Sequence, residues 1–67
     1  MTLADFYVRQ LSHVLAVRLK FDGALTNEAW LMTYRAMRDR YEGACRAGAQ
    51  ERADSLMKVA REARAKS

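Results

Sequence analysis

The sequence contains no proline and only three glycines, so few positions along its 67 residues can interrupt a helix. Most of the remaining residue types, alanine, leucine, arginine and methionine among them, are good helix formers. Apolar residues recur at helical spacing in three segments, which are separated at Gly23 and Gly48. We therefore predict a single small all-α domain with helices at about residues 2–21, 27–47 and 50–65.

The first predicted helix has an unusually wide apolar face. A helix that docks on one neighbour needs an apolar stripe of only about 100°. Here the apolar arc exceeds half the circumference, so we expect the helix to contact the rest of its own chain and a second molecule as well. On a helical projection the arc contains Leu3, Ala4, Tyr7, Val8, Leu11, Val14, Leu15 and Leu19, and it is widened by Phe6, Val17 and Phe21.

The second and third predicted helices have complementary seams. Aromatic and other bulky residues repeat at alternating steps of four and three in the second helix, whereas the third presents mainly alanine. Small residues allow close approach to bulky ones, which favours an antiparallel helical hairpin. The alternative is one continuous helix from Thr26 to Lys66, which would need a long partner to persist. The predicted hairpin core is Trp30, Tyr34, Met37, Tyr41, Ala53, Leu56, Met57 and Ala60.

A chain of this length has little core with which to stabilise itself. Domains shorter than about 70–80 residues rarely gain more than about 3–5 kcal/mol from one core. Cys45 has no second cysteine for a disulfide, and with His13 it supplies too few ligands for structural zinc. We therefore expect a homodimer or a bound protein partner. The predicted interface is Tyr7, Leu11, Val14, Leu15, Arg18, Phe21, Leu31 and Met32.

Arg18 is the most informative charge, because it falls in the middle of the apolar arc of the first helix. A buried guanidinium without a partner is very costly. Its head can reach water near the helix end, which is the structural explanation that we favour. The functional alternative is a bidentate contact with an acid across an interface, where lysine would not substitute fully.

Residues that could support catalysis or bind a cofactor are sparse. His13 lies on the polar side of the first helix, and no carboxylate is placed to orient it. Cys45 lies near the negative end of the second helix, which does not stabilise a thiolate. The sequence has no glycine-rich phosphate loop and no spacing typical of metal ligands. We predict that the protein is not an enzyme and uses neither a cofactor nor a metal.

Twelve basic and eight acidic residues give a net charge of +4 and a pI near 9.7, which is compatible with nucleic-acid binding. Many basic residues have an acid four positions away, as Arg38 has Glu42. Such pairs are typical of a solvated helix surface, which is the interpretation that we favour. The candidate nucleic-acid contacts are Arg35, Arg38, Arg61 and Arg64.

Composition also indicates where such a protein works. The longest uncharged stretch, from Gln10 to Val17, is much shorter than the roughly 20 residues of a membrane span, and no signal peptide is recognisable. A lone thiol fits a reducing compartment, so we expect a cytoplasmic protein without membrane contact. Abundant alanine, and nine arginines against three lysines, indicate a GC-rich bacterial gene.

In size and composition, though not in any motif, the chain resembles the small accessory proteins of bacterial mobile elements and phages. Such proteins often bind and inhibit a host regulator or enzyme. We therefore predict a non-catalytic protein–protein interaction protein, a small dimeric regulator or inhibitor that docks on a host or partner protein. The alternatives are a small nucleic-acid-binding transcriptional regulator and a structural subunit of a larger assembly.

Overall fold

The computed structural model describes residues 1–20 and 26–66, and these form three α-helices. Helix α1 spans Leu3–Lys20, α2 spans Asn27–Arg46 and α3 spans Gln50–Lys66. The described residues contain no strand, which confirms the all-α prediction. Phe21 and the predicted break at Gly23 lie outside the described residues.

Threonine side chains cap the starts of α1 and α2. The Thr2 hydroxyl accepts a hydrogen bond from the Asp5 amide at 3.1 Å, and the Asp5 carboxylate accepts one from the Thr2 amide at 3.4 Å. Thr26 Oγ1 accepts a hydrogen bond from the Ala29 amide at 3.1 Å. Each threonine thereby satisfies an amide that the first turn of a helix leaves unpaired.

A short turn at residues 47–49 separates α2 from α3. Gly48 has a φ of 87°, a backbone conformation that glycine adopts far more readily than other residues. The Gly48 amide donates to the Cys45 carbonyl at 3.1 Å, and the Ala49 amide donates to the Ala44 carbonyl at 2.9 Å. This pair of bonds is a Schellman motif, which satisfies carbonyls at the end of α2. The continuous-helix alternative is therefore excluded.

The interior of the helical bundle is small. Eight apolar residues are buried among those that the structure describes, and four of them are alanines. Two leucines and two methionines are therefore the only large apolar side chains buried among the described residues, and partly buried residues such as Tyr7, Val14 and Leu56 pack against them. The buried apolar residues are Leu11, Leu15, Met37, Ala44, Ala49, Ala53, Met57 and Ala60.

Helices α1 and α2 run in opposite directions, with the start of α1 beside the end of α2. The Tyr7 ring lies against Gly43, where an added Cβ would be only 2.7 Å from Tyr7 Cε1. Further along, the Arg40 Nε donates to Gln10 Oε1 at 3.4 Å. A glycine inside a helix ordinarily weakens it, but here the missing side chain makes room for an aromatic ring.

Helix α3 contacts both other helices through polar pairs. The Arg52 guanidinium lies 3.0 Å from the Asp5 carboxylate of α1 and holds the pKa of Asp5 below its usual value. The Tyr41 hydroxyl of α2 donates a hydrogen bond to the Asp54 carboxylate of α3. This acceptor is the main cause of a raised pKa at Tyr41. The three helices form an elongated body of 34 × 16 × 16 Å.

Candidate protein interface

The predicted interface residues differ widely in their exposure to solvent. Leu11 and Leu15 are 0% and 5% exposed inside their own chain, so they have almost no surface to offer a second molecule. Leu31 and Met32 are 48% and 71% exposed. The other described members are half-buried or buried within the chain, and Phe21 lies outside the described residues. Tyr7 and Val14 pack against the core, and Arg18 is buried.

Arg18 does not reach water. It is only 2% exposed, and its guanidinium carbon lies 4.4 Å from the centroid of the Trp30 ring. The structural explanation for Arg18 is therefore wrong, because the guanidinium is enclosed against an aromatic ring of its own chain. A guanidinium over an indole face is stabilised by the ring quadrupole, most strongly when both are removed from water.

The Trp30 ring also contacts a second arginine, Arg64. The Arg64 guanidinium carbon lies 5.5 Å from the centroid of the same ring, and Arg64 Nη2 donates to Asn27 Oδ1 at 2.7 Å. Trp30 therefore links α2 to a cation from α1 and to a cation from α3. Arg64, a candidate nucleic-acid contact, is engaged within the bundle.

The predicted hairpin core residues lie at or beside the interior of the bundle. Four of them are fully buried, and the aromatic members are half-buried at its edge. Trp30 and Tyr34 contact each other with ring centroids 5.9 Å apart. The buried members are Met37, Ala53, Met57 and Ala60, and the half-buried ones are Trp30, Tyr34, Tyr41 and Leu56.

Part of the wide apolar face of α1 stays on the surface. Leu3, Phe6 and Val17 are 62%, 47% and 44% exposed. With the half-buried Gln10 they lie within an arc of about 60° on a helical projection, and we call these four residues the α1 stripe. The Phe6 ring contacts the Tyr7 ring edge to face at 5.7 Å, which supports Phe6 on the surface.

A second exposed stripe runs along α2 beside the first. Its members also lie within about 60° on a helical projection, and all of them are exposed. Open clefts between the helices show that the stripes adjoin, because Phe6 and Asp39 line one cleft of about 320 Å³, and Leu3 and Arg46 line another of about 280 Å³. The α2 stripe consists of Glu28, Met32, Arg35, Asp39 and Arg46, and the two stripes together are the α1–α2 face.

The exposed arginines of α2 do not form a uniformly positive surface. Arg35 and Arg38 line a shallow cleft of about 320 Å³ together with Asp39 and Glu42. Carboxylates within the same cleft oppose the approach of phosphates. Arg61 on α3 is exposed as well. The exposed arginines of α2 therefore belong to a surface of mixed charge.

The residues considered for catalysis lie apart from one another. His13 is exposed on α1, whereas Cys45 is half-buried in α2 beside the Tyr41 hydroxyl. Within residues 1–20 and 26–66, no group of three histidine, cysteine or acidic residues could hold a metal ion. None of the helices described has both the length and the apolar character needed to cross a bilayer.

Comparisons of the chain with models of protein families, with curated proteins and with solved structures give no match. The candidate site therefore rests on geometry alone. Sequence reasoning placed Leu3, Phe6 and Val17 within the apolar arc but did not separate the inward part of the arc from its outward part, and it did not include Gln10. It also missed the α2 stripe as a unit, although the four-and-three spacing from Glu28 to Asp39 is visible in the sequence.

Proposed function

We propose that this chain is a non-catalytic protein–protein interaction protein that binds through the α1–α2 face. One observation carries the proposal: Leu3, Phe6, Val17 and Met32 are 44–71% exposed on that face. Exposed apolar side chains on one face of a small protein are typical of a binding site, and methionine and aromatic residues are enriched at interfaces. Charged residues of α2 lie beside the apolar ones, so the face offers both apolar contacts and ion pairs to a protein.

The proposal includes a helical arrangement and a mode of action. We take α2 and α3 as an antiparallel hairpin, which is supported by the hydrogen bonds from Arg64 to Asn27 and from Tyr41 to Asp54. We take the protein as a homodimer, because its own core is small. A protein that acts only by binding changes its partner's activity by covering a surface, so we assign it the role of a cytoplasmic regulator or inhibitor of bacterial or phage origin.

A matched pair of valine variants tests the binding face. Val17 lies on the α1–α2 face and Val59 lies on α3, yet both are 44% exposed, so aspartate has the same solvent access at either position. The tagged protein would be captured from its native cells and its partners identified by mass spectrometry. We expect V17D to lose the partners that the unaltered chain retains, and V59D to keep them. Equal retention by both variants would contradict the proposal.

Nucleic-acid binding is tested with the same purified protein. Affinity that rests on phosphate contacts falls steeply as salt increases. We expect no salt-dependent binding to duplex or single-stranded oligonucleotides, because acids accompany Arg35 and Arg38 in their cleft. Tight binding that Arg35→Ala and Arg38→Ala abolish would replace the proposed function by the nucleic-acid alternative.

A further inference from the structure

The charges of the α2 stripe are complementary to those of a second copy of the stripe that runs in the opposite direction. From the start of α2 to its end, the charged members are Glu28, Arg35, Asp39 and Arg46, with alternating sign, and the exposed Glu42 borders the stripe beside Arg35. Reversing this order places Arg46 opposite Glu28 and Asp39 opposite Arg35. Two copies of the stripe therefore pair acid with base when they run antiparallel, whereas parallel copies in register would place like charges together.

The α1 stripe fits the same arrangement. An antiparallel copy centred on the middle of α1 places Phe6 opposite Val17 of the second copy, so that these two exposed apolar side chains meet, and it places Leu3 opposite Lys20. Tyr7 lies beside Gly43, and Gln10 lies beside Arg40. These two contacts define which residues of α1 and α2 lie level with each other along the bundle. The centre of the α1–α1 pairing and the centre of the α2–α2 pairing then differ by only about 2 Å along the helices. A single two-fold axis can therefore relate both stripes to their copies.

From this complementarity we infer that the α1–α2 face is occupied by a second copy of this chain, with α1 antiparallel to α1 and α2 antiparallel to α2. The inference rests on the proposed function and names its partner. A standard interface buries about 800 Å² on each side. That is about a sixth of the 4729 Å² of accessible surface on one chain. Two adjacent helices, about 27 Å long and together about 20 Å wide, span about 540 Å² in projection, so two copies together bury roughly the 1,000 Å² in total that a biological interface needs.

Charge reversal at the centre of the face tests the arrangement. Sedimentation equilibrium of the purified chain at low and at moderate salt gives the dissociation constant of the dimer. We expect Arg35→Asp and Asp39→Arg each to weaken the dimer about tenfold, because each variant opposes like charges across the axis. Combining the two substitutions in one chain restores the affinity. A mixture of the two single-variant chains associates more tightly than either chain alone.

A charge reversal away from the face is the control. Lys58 is exposed on α3, so Lys58→Asp changes the net charge as Arg35→Asp does but leaves the dimer intact. A dimer that responds equally to Arg35→Asp and to Lys58→Asp would overturn the antiparallel arrangement. A chain that stays monomeric at millimolar concentration would overturn self-association. In that event, loss of a different protein partner in V17D would still support the proposed function, and equal capture by V17D and V59D would end both.

Discussion

The two sides of α1 are similar in composition and opposite in environment. On the inward side, Leu11 and Leu15 are enclosed by the other helices, and even Arg18 is buried. On the outward side, Phe6 and Val17 keep nearly half of their surface exposed. Two neighbouring helices can enclose only part of a helix whose apolar arc is this wide. The outward side therefore holds the apolar surface that the other two helices leave exposed.

Substitution of an inward leucine should give the largest loss of stability. Leu11 is fully buried, so Leu11→Ala removes buried apolar surface and leaves a cavity, at an expected loss of about 2–5 kcal/mol in the free energy of unfolding. Urea denaturation followed by circular dichroism measures this loss. Because the cavity lies within one chain, the loss should not depend on protein concentration.

Val17→Ala is the outward counterpart of this test. At concentrations where the protein is monomeric, we expect it to change the free energy of unfolding by no more than about 0.5 kcal/mol, because Val17 is 44% exposed. At concentrations where a dimer forms, it should lower the unfolding midpoint. Equal losses for Leu11→Ala and Val17→Ala in the monomer would show that the two sides do not differ.

The contact of Arg18 with Trp30 provides a second test of the inward side, because Arg18 is a cation buried there. A double-mutant cycle with Arg18→Met and Trp30→Leu should give a coupling free energy of about 2 kcal/mol, as expected for an enclosed cation over an indole. The same cycle with Arg64→Met should give only about 0.5–1 kcal/mol, because Arg64 is half-buried and farther from the ring. A larger coupling for Arg64 would contradict this ranking.

Gly43 tests how closely α1 approaches α2. Gly43→Ala places a methyl group 2.7 Å from the Tyr7 ring, and such overpacking costs about 1–3 kcal/mol. Replacing glycine by alanine inside a helix gains about 1 kcal/mol, so we expect a net loss of roughly 1 kcal/mol in the free energy of unfolding. In a Tyr7→Ala background the ring is gone, and the same substitution should stabilise the protein. A stabilising effect in both backgrounds would contradict the close contact.

Residue type and periodicity were sufficient to predict the three helices and the turn at Gly48, because those features depend on local backbone preferences. They also placed Leu11 and Val17 together on one apolar face. Which of the two is enclosed depends on where the neighbouring helices lie, and periodicity does not contain that information. The burial of Arg18 followed from the position of Trp30, twelve residues away across the bundle. The contact of Tyr7 with Gly43 likewise joins residues distant in sequence.

The smallest expected effect on stability comes from Asp5, on the polar side of α1. Asp5 accepts hydrogen bonds from Arg52 and from the Thr2 amide, and these lower its pKa from the ordinary value of 3.8. The unfolded chain therefore binds a proton more readily than the folded chain. The stabilisation by this carboxylate is fully present above about pH 4 and is lost as the pH falls through the lowered pKa.

Asp5→Asn should therefore reduce the dependence of the unfolding midpoint on pH below about pH 4, and leave that dependence unchanged near neutrality. Arg52→Gln removes the main cause of the shift, so it should reduce the same acid-side dependence. Since both substitutions break one ion pair, the doubly substituted chain should lose less stability than the sum of the two single losses. Additive losses would mean that Asp5 and Arg52 act separately, and that this contact does not hold α1 to α3.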